Sequence, residues 1–292
     1  MRSQLSRAAS LFVAGVIAAA GTGAAPANAA RGIAAVAALQ VALRAEHLYA
    51  GDVDGRAGPQ TRLAVRAFQA RRGLVIDGIA GPATRRALGP RGRPRYAARV
   101  ITLGARGWDV AELQFLLAWG GFPSGPMDGA FGPRTRAALL RYQRWAGLRA
   151  DGAAGPATLT SLQRPPPRSP VAMVRPVQGT LGEGFGPRGD WFHSGVDFEA
   201  PSGTAVRAAR SGRVAFARWA AGGYGQLIVI DHGNGVSSWY AHLSSVAVAA
   251  GERVSVAEPI GRVGATGRAS GPHLHFEVRV RGATTNPLLA LR

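Results

Sequence analysis

His273-Leu274-His275-Phe276-Glu277-Val278-Arg279-Val280 alternates polar and apolar residues without a break. A β-strand sends successive side chains to opposite faces. This stretch therefore presents His273, His275 and Glu277 on one face and turns Leu274, Phe276 and Val278 toward a core. Residues two apart on such a face are ~6.5–7 Å apart, near enough for two imidazoles to converge on one site. The neighbouring sequence has the same texture. Residues 226–230 and 236–241 are β-branched and aromatic runs on either side of Asp231-His232-Gly233-Asn234-Gly235, the pattern of a β-hairpin with an Asn-Gly turn. Val196-Asp197-Phe198 and residues 213–217 read as further strands, and no segment after residue 177 has a helical period. Residues 177–292 are therefore expected to form a mostly antiparallel β domain. Within it His193 and Asp197, four apart, are expected on one face of one strand. His242 is expected to end the hairpin's second strand with Tyr240 on its face.

The sequence ahead of this domain repeats itself. Leu39-Gln40, Asp54-Gly55, Gly58-Pro59-Gln60-Thr61 and Phe68-Gln69 return 74 residues later as Leu113-Gln114, Asp128-Gly129, Gly132-Pro133-Arg134-Thr135 and Tyr142-Gln143. Gly73-Leu74 and Gly81-Pro82-Ala83-Thr84 return at the same offset, as Gly147-Leu148 and Gly155-Pro156-Ala157-Thr158. These are two copies of one small domain. Inside each copy the element DGxxGPxT occurs twice, so the full set starts at Asp54, Asp77, Asp128 and Asp151. Asp-Gly makes a tight turn, and Gly-Pro stops one element and starts a helix with Pro in its first turn. Each copy is thus expected to be helix, turn, helix, turn, short helix. Asp54, Gly58 and Thr61 are expected to serve the turn and the cap rather than a ligand. Asp52-Val53-Asp54-Gly55 is no calcium loop, because Leu63 stands at the twelfth position where a bidentate Glu is needed. The co-linear motifs resemble the three-helix peptidoglycan-binding domain over 33–89 and 107–163. That resemblance implies non-catalytic docking onto cell-wall glycan and stem peptide, with peptidoglycan as the partner.

The 47% hydrophobic content of the 292 residues excludes wholesale disorder. The lack of any Cys excludes a disulfide scaffold, thiolate zinc sites and a cysteine nucleophile. All 35 basic residues are Arg against 16 acids, and 20 of them lie in 31–165 beside 8 acids. Such a field suits a polyanion. For an exported protein that means anionic wall polymers, and no nucleic-acid motif supports the other reading. Arg2 and Arg7, the apolar run 8–20 and Ala27-Asn28-Ala29 have the form of a signal peptide over 1–29, cleaved before Ala30. No later segment reaches spanning length, so the mature chain is expected to be secreted to the cell wall without a transmembrane segment. Arg164-Pro165-Pro166-Pro167-Arg168-Ser169-Pro170 is a stiff spacer. The expected division is a signal peptide, helical modules at 31–90 and 98–163, a Pro-rich linker at 164–176 and the β domain at 177–292. The fold class is multidomain α plus β.

Five of the six histidines fall in the β domain, with two of them on one strand face. Imidazole and carboxylate are good Zn²⁺ ligands, and a catalytic zinc takes three protein ligands and a water. No nucleophile-elbow GxSxG and no HExxH occurs, so neither a serine hydrolase nor that zinc-protease class fits. In order, His193-Ser194-Gly195-Val196-Asp197, Tyr240-Ala241-His242-Leu243 and Gly271-Pro272-His273-Leu274-His275-Phe276-Glu277 resemble the lysostaphin-type zinc metalloendopeptidases. The resemblance extends over about 181–289, including Gly184-Phe185-Gly186 and Asn286-Pro287. It implies one Zn²⁺ held by His193, Asp197 and His275, with His242 and His273 as the unliganded catalytic pair. One of that pair would act as general base and the other would bond the developing oxyanion, and spacing does not say which. Relatives lacking ligands regulate other hydrolases, whereas this chain keeps all five positions. The implied function is an endopeptidase cutting peptide stems or cross-bridges of peptidoglycan. The alternative is a non-catalytic wall-bound adaptor or regulator. His232 is expected to serve its turn and His47 to be a surface residue.

Overall fold

The computed structural model describes residues 27–164 and 168–292. The expected signal peptide lies outside the described residues except for its last three, as do residues 165–167 of the spacer. Helices α1 (Ala27–Ala45), α2 (Pro59–Arg71) and α3 (Pro82–Ala87) form the first repeat. Helices α4 (Trp108–Trp119), α5 (Pro133–Trp145) and α6 (Pro156–Ser161) form the second. Gly58, Gly81, Gly132 and Gly155 cap α2, α3, α5 and α6 in extended conformation, each followed by Pro at the first helical position.

One side chain explains the whole motif. Gln40 Nε2 donates to Asp54 Oδ1 at 2.7 Å, Arg56 O at 3.1 Å and Thr61 Oγ1 at 3.2 Å, while its Oε1 accepts from Gly55 N at 2.9 Å. Gln69, Gln114 and Gln143 grip Asp77, Asp128 and Asp151 and their turns in the same way. A buried amide with every polar atom satisfied locks each turn onto the preceding helix. Asp54 and Thr61 are thereby engaged in the scaffold.

The two repeats do not hang as separate beads. Every residue of α4 from Trp108 to Ala118 is buried, α1 packs along it, and residues of both repeats share one apolar core. A module of ~60 residues has too little interior of its own, and merging two cores supplies it.

Strands β1 (Thr180–Leu181), β2 (Gly186–Arg188), β3 (Trp191–His193), β4 (Val196–Glu199), β5 (Ala205–Arg207), β6 (Gly212–Ala220) and β7 (Gly225–Asp231) lead into the β domain. They are followed by β8 (Val236–Leu243), β9 (Ser245–Val246), β10 (Arg253–Val254), β11 (Pro259–Arg262), β12 (His273–Val280) and β13 (Ala283–Thr285). The main sheet is antiparallel in the order β1-β4-β12-β8-β7-β6-β10, with β13 paired to β12. The small sheet β5-β11-β9 packs against it through Val206, Ile260, Ile228, Tyr240 and Phe276, which have no exposed surface. The β7–β8 hairpin turns at Asn234, whose φ of 52° is the left-handed conformation expected of an Asn-Gly turn.

Candidate metal centre and active site

Strand β12 lies between β4 and β8, with His275 opposite Asp197 on one side and Ala241 on the other. Leu274, Phe276 and Val278 are fully buried in the core and His273, His275 and Glu277 share the opposite face, as the alternation requires.

His193 and Asp197 do converge, but not along one strand. His193 ends β3 and Asp197 sits in β4, and the chain bends between them at Ser194-Gly195. A side chain at Gly195 would run into Phe276 O and the His275 ring, so only glycine lets this turn lie on β12. The second expectation is also corrected. Tyr240 points into the core, bonding Ala209 N through its hydroxyl at 2.8 Å, whereas His242 faces the site. The β7–β8 ladder is irregular here, since Gln226 pairs with Leu243 and Ile228 with Tyr240. The extra residue and the left-handed φ of 61° at His242 break the alternation and swing its ring to the other face.

One donor atom each from His193, Asp197 and His275 lie within 4.8 Å of one another, and all three residues are buried. His193 Nε2 is 3.0 Å from His275 Nδ1, and Asp197 Oδ1 is 3.2 and 2.8 Å from those nitrogens. The remaining ring nitrogens are anchored. His193 Nδ1 pairs with Gly184 O at 2.8 Å and His275 Nε2 with Glu277 Oε1 at 3.1 Å, which leaves His193 Nε2 and His275 Nδ1 facing Asp197 as the nitrogens a metal would bind once it displaces the proton they share with that carboxylate. Two imidazoles and a carboxylate on fixed strands suit zinc, which binds the imidazoles in their neutral form. Burial alone would raise the Asp197 carboxyl, but hydrogen bonds from His193 and His275 hold it well below the usual range. Burial likewise opposes charge on His275, yet its bonds to Asp197 and Glu277 raise it to about 9.

His242 and His273 stand beside this cluster with ring centroids 4.8 Å apart. Each donates Nδ1–H to a backbone carbonyl, of Thr266 and Gly271 respectively, at 2.8 Å. Each Nε2 is thereby left as an acceptor turned away from its anchor, that of His273 lying 3.9 Å from Asp197 Oδ1. Burial lowers His242 to about 4, so it is neutral at physiological pH. All five residues line a cavity of about 770 Å³, with Arg188, Tyr224 and Arg268 at its walls.

Glu277 is the residue whose place on this face was read and whose part was missed. Fully buried, it accepts from Ser194 Oγ at 2.6 Å, Tyr224 OH at 3.0 Å and Arg279 Nε, through its other oxygen, at 2.7 Å, besides His275. Burial opposes its charge, but Arg279 and His275 keep it ionised far below the ordinary range. The strict alternation placed it beside His275, which was the available signal. Ser194, committed to Glu277, is no nucleophile. His232 bonds Ser211 O at 2.9 Å and Ser238 Oγ at 2.7 Å within its turn, and His47 is exposed at the end of α1.

Peptidase family M23 matches residues 191–287, and the peptidoglycan binding domain family matches 33–88 and 106–162. The chain is 49% identical over 96 residues to the DD-carboxypeptidase/endopeptidase Mpg of Neisseria meningitidis, covering 33% of this chain and 22% of that protein. It is 36% identical over 121 residues to the murein hydrolase activator NlpD of Salmonella dublin, covering 41% and 32%. The chain thus spans about a fifth to a third of the length of these curated relatives. A solved structure, the catalytic domain of the antimicrobial peptidase lysostaphin from Staphylococcus simulans, is 34% identical, covering 38% of this chain and 90% of that one with a TM-score of 0.36. The β domain belongs to peptidase family M23, and the two helical repeats ahead of it belong to the peptidoglycan binding domain family.

Proposed function

We propose that the chain is a secreted zinc-dependent endopeptidase that hydrolyses peptide stems or cross-bridges of bacterial cell-wall peptidoglycan, held on the wall by its helical region. The observation that carries this reading is the convergence of His193, Asp197 and His275 beside two anchored imidazoles in one open cavity. His193, Asp197 and His275 would hold the zinc, which when bound polarises a peptide carbonyl and lowers the pKa of a water to about 7. His242 and His273 do the proton work. With Nδ1–H fixed on carbonyls, their Nε2 atoms can take a proton from water and return it to the departing amine, or hydrogen-bond the oxygen that gains charge. Glu277 holds the His275 ring, and Arg279 and Tyr224 hold Glu277. The division at 31–90, 98–163, 164–176 and 177–292 and the signal peptide at 1–29 belong to the same proposal. The test is incubation of purified, zinc-loaded protein with purified peptidoglycan, with mass spectrometry of the released fragments. Newly freed peptide termini support the endopeptidase. Release only when a second hydrolase is added would make the chain an activator instead.

A further inference from the structure

The two repeats agree at every turn motif and differ where they meet the β domain. The second has Trp119 and Gly121 at the end of α4 and Trp145 at the end of α5, where the first has Ala45, His47 and Arg71. All three second-copy residues touch the β domain. Trp119 packs edge-on against Phe185 and Phe192, at 6.5 and 5.3 Å between centroids. Gly121 O accepts from Thr284 N at 3.1 Å, and Gly121 has a φ of +90°, so a Cβ there would stand 2.5 Å from Thr284 O. Trp145 Nε1 donates to Val280 O at 3.2 Å beneath the Arg281 guanidinium.

The faces of the repeats that could take a ligand differ as well. The first has a groove of about 460 Å³ beside α2, walled by Leu48, Tyr49, Gln60, Leu63 and Ala67. At the positions of Gln60 and Ala67 the second repeat carries Arg134 and Arg141. Arg141 reaches across to Pro123 O at 3.3 Å, and Arg134 packs at Gly125 beside Trp191 of β3.

We propose that the second repeat is a docking module for the chain's own peptidase domain, and that peptidoglycan is gripped by the groove of the first repeat alone. The second half of this statement rests on the wall-binding reading above; the first half does not. Docking has a consequence for the site. Met127 N donates to Asp190 O at 2.7 Å, at the tip of the β2–β3 hairpin that carries Arg188 and His193 into the cavity. The first repeat supports the same tip, with Val53 N donating to Gly189 O at 2.8 Å and Asp52 Oδ1 accepting from Gly189 N at 2.7 Å.

Two sets of full-length variants test the two halves. Trp119→Ala, Gly121→His and Trp145→Arg, combined, give the second repeat residue types drawn from or matching the first. Release of the peptidase domain should speed proteolytic cutting within 164–176 by ~10-fold or more and lower kcat/KM on a soluble muropeptide. Gly121→His alone leaves the buried face of α4 untouched and serves if the combined variant does not fold. Unchanged proteolysis and turnover in a folded variant overturn the docking role. Leu63→Asp and Ala137→Asp place a charge at equivalent exposed positions of the two repeats. In a pull-down on purified wall the first should lose ~10-fold or more in affinity and the second less than about twofold. Equal losses overturn the division of labour. Loss in neither overturns the groove of the first repeat as the wall site, while the interface variants still decide the docking.

Discussion

His242 holds a conformation that a non-glycine residue seldom adopts, and that strain aims it. Its reward is an imidazole beside the His193, Asp197 and His275 cluster with one nitrogen fixed. His242→Ala and His273→Ala should therefore keep zinc and lose turnover by ~100-fold or more, checked by metal analysis alongside kinetics. His193→Ala, Asp197→Ala and His275→Ala should each lose zinc and activity together, because three ligands leave no redundancy. Retained zinc with full turnover in any of these three would sink the ligand assignment. Glu277→Gln removes the charge that holds His275 and should weaken zinc by ~10–100-fold, read by competition with a chelating dye. The free protein also has a pH signature. His275 rises from 6.5 to about 9 on folding, so its contribution to stability is full below 6.5 and disappears as pH climbs through about 9. With chelator present the melting temperature should fall across that window. Zinc has to displace the same proton, so its affinity should rise with pH up to about 9.

At the scale of elements, the repeats are held by glutamine grips, and a glycine bend lets His193 and Asp197 meet on β12. Gln143→Ala leaves the Gly152 N–H and its partners unsatisfied in a buried place, and should cost about 1–3 kcal/mol of unfolding free energy in denaturant melts. A Gln143→Glu variant should not restore it, because a carboxylate cannot donate to Asp151. The sequence marked both partners of each grip, the Leu-Gln or aromatic-Gln and the DGxxGPxT, without showing that one side chain joins them. It also marked β12 and the β7–β8 hairpin closely. It missed the bend at Gly195 and the irregular pairing at His242, because both are set by the strand alongside and not by their own neighbours in sequence.

At the scale of the molecule, charge and domain contact are expected to govern the action proposed on the wall. The 20 Arg and 8 acids of 31–165 should draw the chain to anionic wall polymers. Binding to native wall should then weaken as salt rises from ~0.05 to ~0.5 M, where the Debye length is a few ångströms. On walls stripped of anionic polymers the salt dependence should shrink. Flat binding in every lane would leave the charge without a targeting role. Because Met127 and Val53 hold the β2–β3 hairpin, deletion of 31–163 should lower turnover on soluble peptides as well as on wall, and not on wall alone.

The sequence by itself determined the parts: two copies of a turn-punctuated helical unit, an alternating strand that puts two histidines on one face, and five chemically apt side chains in order. These follow from local periodicity and turn chemistry, which act over a few residues. Only the tertiary structure decided how the parts meet. The merging of the two helical cores, the swing of His242 away from Tyr240, the carboxylate of Glu277 behind His275 and the seating of Trp119 and Trp145 on the peptidase domain all join residues remote in sequence or across a broken alternation. Such contacts are chosen by close packing and by the need to satisfy buried polar groups, and neither is written in the spacing of any one segment.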